Sequence, residues 1–125
     1  MNKVSHFEVP VEDLKEAQKF YGEVFGWQFK PWSEDYVSVR TVKSDSEGKS
    51  TEVGGINGGL QKKGPRAKSV TFVMEVDDID KTLEDIESRG GSIAVPKEKM
   101  GDMGFYAQFE DPEGNRLGLF QSLEK

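Results

Sequence analysis

His6-Phe7-Glu8-Val9-Pro10-Val11-Glu12-Asp13-Leu14 and Thr71-Phe72-Val73-Met74-Glu75-Val76-Asp77-Asp78-Ile79 are variants of one phrase. At an offset of 65 residues Phe7 meets Phe72, Val11 meets Val76, Asp13 meets Asp78 and Leu14 meets Ile79; Gly26 later meets Gly91 without a gap. In the first copy Phe7, Val9 and Val11 alternate with His6 and Glu8, the period of a half-buried strand. Asp13 stands where a helix N-cap belongs, with Glu16 three residues on as in a capping box. Leu14, Ala17, Tyr21, Val24 and Phe25 recur near helical spacing, and Gly26 supplies a stop. In the second copy Asp78 caps, Ile79, Leu83 and Ile86 form the stripe, and Gly90-Gly91 ends it.

After each helix the pattern turns to strands. Residues 27–30, 36–42 and 54–61 are strand-like in the first half; residues 92–95, 104–110 and 116–122 are strand-like in the second. Asp111-Pro112-Glu113-Gly114-Asn115 forms the turn between the last two. The spacing therefore predicts strand-helix-strand-strand-strand twice, with modules at 1–63 and 67–125 and helices near 13–25 and 79–89. The basic connector at 61–68 contains Gly64-Pro65, and the polar stretch at 43–52 reads as a loop.

Composition narrows the function. The chain has 125 residues, the length of about one domain. Its 17 Lys and Arg against 23 Asp and Glu give a net charge of −6, which argues against nucleic-acid binding driven by phosphate neutralisation. The absence of Cys excludes disulfides, thiolate metal sites and Cys nucleophiles, and the single His excludes a site needing two imidazoles from one chain. No apolar run approaches the ~20 residues of a membrane span. The first residues lack the apolar stretch of a signal peptide, so a cytoplasmic location without membrane contact is expected. Gly54-Gly55-Ile56-Asn57-Gly58-Gly59 is not a phosphate loop, because no Lys-Ser/Thr and no helix follow it.

The duplicated order, the phrase Phe20-Tyr21-Gly22-Glu23-Val24-Phe25-Gly26-Trp27 and the Asp111–Asn115 turn together resemble the vicinal oxygen chelate superfamily of glyoxalase I, bleomycin-resistance proteins and extradiol dioxygenases. The resemblance covers nearly the whole chain and implies one α+β domain of two βαβββ modules, whose sheet curls into a cup with the helices outside. It also implies a homodimer; Trp27 and Trp32, which follow the first helix, read as packing or dimer-contact residues. In metal-dependent members, side chains from the first and last strand of each module hold a divalent ion. His6, seven residues before Asp13, matches the first ligand position. Thr71 matches the third by the repeat, Gly118 the fourth, and Gly59 best matches the second. One ligand of four survives, so no resident metal or other cofactor is expected.

Period-2 alternation puts Phe7, Val9, Val37, Val39, Ile56, Leu60, Phe72, Met74, Phe105, Phe109, Leu117 and Leu119 on the helix-facing side. The opposite face is mixed polar and aromatic, as small-molecule sites are. His6, Arg40, Asn57, Thr71, Tyr106, Gln108 and Phe120 are the expected ligand contacts. His6 with Glu8 is the candidate acid–base pair; a hydrogen-bonded wall residue is the plainer role for His6. Arg40 would pair an anionic group or simply face water. The expected function is metal-independent binding of a small molecule of unspecified identity. The alternative is a lyase, isomerase or dioxygenase-type enzyme using His6, with or without a divalent ion.

Overall fold

The computed structural model describes residues 1–123. Two compact units divide the chain, His6–Val70 and a second built from Met1–Ser5 with the residues from Thr71 onward. The short N-terminal piece joins the second unit through the Lys3 carbonyl, which accepts from Glu75 N at 3.0 Å.

In the unit His6–Val70, strand β1 (Val4–Val11) leads to α1 (Leu14–Phe25), β2 (Gln28–Pro31), β3 (Tyr36–Arg40) and β4 (Asn57–Lys62). The sheet order is β2-β3-β4-β1. β1 runs parallel to β4, and the other pairs are antiparallel. The other unit repeats the plan with β5 (Thr71–Glu75), α2 (Ile79–Ser88), β6 (Ser92–Met100), β7 (Gly104–Glu110) and β8 (Arg116–Ser122). Its order is β5-β8-β7-β6, with β5 parallel to β8. The twofold βαβββ reading is the observed one.

Both helices start as their sequences dictate. The Asp13 carboxylate accepts from Glu16 N at 3.0 Å, and that of Asp78 accepts from Lys81 N at 3.2 Å, each satisfying an otherwise unpaired amide of the first turn. α1 ends at Gly26, whose left-handed φ of 72° lets its N–H return to the Gly22 carbonyl at 2.9 Å.

The helix-facing residues form a separate core in each unit. Val37, Val39 and Leu60 are buried in the first, with Phe7, Val9 and the α1 residues Leu14, Ala17 and Tyr21 packed on them. Fully burying a side chain such as Leu60 contributes about 2 kcal/mol. Val76, Ile79, Leu83, Ala107, Phe109 and Leu119 form the second. Two expectations fail here. Val24 and Phe25, assigned to the α1 stripe, are more than half exposed. Trp27 instead covers that end of the helix, stacked on Tyr21 at 4.8 Å and tilted against Phe7 at 5.6 Å. Phe72, the repeat mate of Phe7, was assigned to the helix side with it but is 55% exposed. The repeat offset puts Ser92 where the first unit has Trp27, so no indole covers Phe72.

Candidate functional site

The sheet face away from α1 in the first unit is set by three strands. The parallel pairing of β1 with β4 puts His6 opposite Asn57 and Glu8 opposite Gly59. The antiparallel pairing of β3 with β4 puts Ser38 opposite Gly59 and Tyr36 opposite Gln61. Tyr36 leans along this face, and its phenol, hydroxyl included, occupies the space where a side chain on Gly59 would begin. The hydroxyl then meets His6 Nε2 at 2.8 Å. Trp32 packs edge-on against the Tyr36 ring, with centroids 6.2 Å apart.

Burial lowers the His6 pKa from 6.5 to about 4, although 33% of its side chain is exposed. The ring is neutral at neutral pH, so the Glu8 carboxylate 3.9 Å from Nε2 is a polar neighbour there and not the partner of an imidazolium. The expected pair of His6 and Glu8 is thus brought together. Tyr36, which alternation along its strand also puts on the inward face although it is not among the expected ligand contacts, completes the cluster.

The second unit carries a parallel arrangement. β7 and β8 pair so that Gln108 faces Gly118 and Tyr106 faces Phe120. The Tyr106 hydroxyl lies 3.0 Å from where a Gly118 Cβ would stand, with Val73 Cγ2 also at 3.0 Å. Gln108 Nε2 donates to that hydroxyl at 2.8 Å. Gln108 and Thr71 are buried, 2% and 6% exposed. Tyr106, Gln108 and Phe120 are therefore neighbours on one sheet, and Thr71 lies on β5 in the same unit.

Two expected contacts are engaged elsewhere. Asn57 accepts at Oδ1 from Thr41 N (2.9 Å) and Val42 N (3.4 Å), and donates from Nδ2 to Ser44 Oγ (2.7 Å) and the Gly48 carbonyl (3.1 Å). A carboxamide has two donors and two acceptor positions, so the loop takes all four. Arg40 ends β3 and reaches the same loop, its Nη2 3.8 Å from the Cβ position of Gly48. It lines two shallow grooves of about 370 and 530 Å³, neither of which includes His6 or Glu8. Asp45 of that loop is held below the usual carboxylate range chiefly by the Lys49 N–H, with Arg40 a lesser influence.

A divalent ion of the kind the resemblance implies does not fit these residues. The four matched positions carry His6, Gly59, Thr71 and Gly118, with one imidazole and no carboxylate among them. A side chain at Gly59 would collide with the Tyr36 hydroxyl, and one at Gly118 would press on Tyr106. Among the described residues no three His, Asp or Glu side chains are grouped to hold a metal. No helix among them is long and apolar enough to cross a membrane.

Comparison with known proteins agrees with the architecture. The family model described as Glyoxalase/Bleomycin resistance protein/Dioxygenase superfamily matches residues 3–119. A glyoxylase-like domain-containing protein of Didymella fabae is 29% identical over 118 residues, covering 90% of this chain and 88% of its own. Among solved structures, methylmalonyl-CoA epimerase from Mycobacterium tuberculosis is similar with a TM-score of 0.69 at 12% identity, over 95% of this chain and 87% of the epimerase. An extradiol ring-cleaving dioxygenase from B. fuscum gives 0.70 at 19% identity, over 96% of this chain and 32% of the dioxygenase. At these identities the structural likeness concerns the fold.

Proposed function

Because the chain belongs to the Glyoxalase/Bleomycin resistance protein/Dioxygenase superfamily and its matched ligand positions hold two glycines under tyrosine side chains, we propose that it binds a small molecule through hydrogen bonds and apolar contact, without a metal ion. The observation that carries this reading is the Tyr36 phenol over Gly59, hydrogen-bonded to a neutral His6. Within the unit His6–Val70, a hydroxyl and a neutral imidazole beside the Trp32 and Tyr36 rings suit a ligand with carbonyl, hydroxyl or amide groups.

Proton transfer by His6 with Glu8 is the second reading, supported by their 3.9 Å approach. An imidazole with a pKa of about 4 is a weak base near neutral pH, which favours binding over acid–base catalysis.

The test is a thermal-shift screen of small molecules on wild-type and His6→Ala protein, beside metal analysis of freshly purified, chelator-free protein. A ligand at 100 times its dissociation constant stabilises the fold by about 2.7 kcal/mol, and His6→Ala should reduce that gain while leaving the unliganded protein folded. A stoichiometric divalent ion lost on His6→Ala substitution would overturn the proposal.

A further inference from the structure

We infer that Tyr36 closes the last-strand ligand position of the first unit, its phenol standing over Gly59 so that the position presents a hydroxyl and admits no carboxylate, and that Tyr106 narrows the matching position at Gly118 together with Val73. The inference rests on the metal-independent reading above and adds the residues that enforce it.

Backbone conformation does not require glycine at either position. Gly59 and Gly118 lie inside strands and neither has a positive φ. A strand-interior glycine costs about 0.5–1 kcal/mol relative to alanine, so an unobstructed site would favour alanine. At Gly59 the obstruction is Tyr36 alone, whose phenol overlaps the Cβ position; at Gly118 Tyr106 and Val73 crowd it equally, each 3.0 Å away. The register of tyrosine and glycine is the same twice. Ser38 pairs with Gly59 and Tyr36 lies two residues before Ser38; Gln108 pairs with Gly118 and Tyr106 lies two residues before Gln108.

The 65-residue repeat does not align these pairs, because the connection between β3 and β4 is longer than the Asp111–Asn115 turn between β7 and β8. The two units share the arrangement in space and not in ungapped sequence. Each hydroxyl is also fixed by a different partner, His6 Nε2 in one unit and Gln108 Nε2 in the other, both at 2.8 Å. Gly58 is a natural control. There the obstruction includes the backbone carbonyl of Phe7, which no side-chain truncation removes.

The experiment is a double-mutant cycle read by thermal melting, followed by Co²⁺ titration monitored by visible absorbance. G59A should lower the melting temperature by about 5 °C, whereas Y36A/G59A should melt no lower than Y36A. G58A should be destabilising to the same degree with or without Y36A. In the titration, Y36A/G59E should bind Co²⁺ at least ~10-fold more tightly than G59E, since only the double variant can place a new carboxylate beside His6 and Glu8. G59E failing to fold while Y36A/G59E folds would also support the inference. Overturning results are a G59A protein that melts with wild type, a G59A penalty undiminished by Y36A, or equal Co²⁺ affinity for G59E and Y36A/G59E. Stoichiometric Co²⁺ binding by wild type through His6, with the stability cycle as expected, would instead overturn the metal-independent reading and leave the packing role of Tyr36 intact.

Discussion

Acidification should destabilise this protein through His6, and the effect can be isolated by comparison with His6→Gln. Burial lowers the folded-state pKa from 6.5 to about 4. Above pH 6.5 neither folded nor unfolded chains carry the proton, and His6 contributes no pH dependence. Between pH 6.5 and about 4 the unfolded chain takes up the proton and the folded one does not, so stability falls as pH falls. Below about 4 both are protonated and the contribution is flat. At about 1.4 kcal/mol per pH unit, the whole window corresponds to at most about 3.4 kcal/mol. One third of the side chain faces solvent, and screening there reduces the expected loss to about 2 kcal/mol. The assay is urea denaturation of wild type and His6→Gln at pH 7.5, 6, 5 and 4. Carboxylates titrate in both proteins, so the difference reports His6 with its neighbours Tyr36 and Glu8. Wild type should lose about 2 kcal/mol more than the variant between pH 7.5 and 4. Glu8 opposes this effect, because its carboxylate 3.9 Å away favours the imidazolium. Equal losses, or a relative gain by wild type on acidification, would show that Glu8 outweighs desolvation and would refute the neutral-imidazole argument.

Asn57→Ala removes four hydrogen bonds to the loop after β3 and should cost about 2–3 kcal/mol, with faster proteolytic cleavage at residues 43–52; an unchanged digestion pattern would show that the loop holds itself. Asp13→Ala and Asp78→Ala should each cost about 1 kcal/mol in thermal melts, because each carboxylate caps one helix amide; a cost confined to one of them would break the equivalence of the two helix starts.

Much of the architecture was legible because its signals are local. The two Asp caps, the Gly26 stop and the alternation in β1 act within a few residues, and the bounds of β7 and β8 match the sequence pattern. β6 was underestimated. The strand-like pattern covers only residues 92–95, yet the strand runs on through Pro96 to Met100 with register irregularities on both sides of Val95. β6 lies at the edge of its unit's sheet order, where a missing N–H is tolerated. β4 begins at Asn57 and not at Gly54, whose φ of 95° belongs to a turn.

The candidate site was only half legible. His6 and Glu8 share a face by strict alternation, which sequence reveals. The relation of Tyr36 to Gly59 depends on the register between two strands separated by a long connection, and alternation carries no register. Asn57 lies opposite His6, on the face that alternation gives it, but the engagement of its carboxamide was not legible: its partners lie 9 to 16 residues earlier, in a loop with no periodic pattern.

The saturated Asn57 carboxamide also bears on how the protein ages. Asn57-Gly58 is a dipeptide prone to deamidation in flexible chains, because glycine does not hinder its own nitrogen from attacking the preceding amide carbon. Here the dipeptide opens a strand, and both ends of the carboxamide are pinned, so ring closure must first break the contacts with Thr41, Ser44 and Gly48. Folding thus shields a labile bond. Once deamidated, residue 57 would offer an acceptor oxygen where Nδ2 had donated, and the Gly48 carbonyl would face a carboxylate. The clamp that orders the loop would then repel it, and chemical damage sustained during one unfolding episode would persist as a loosened loop in the refolded molecule.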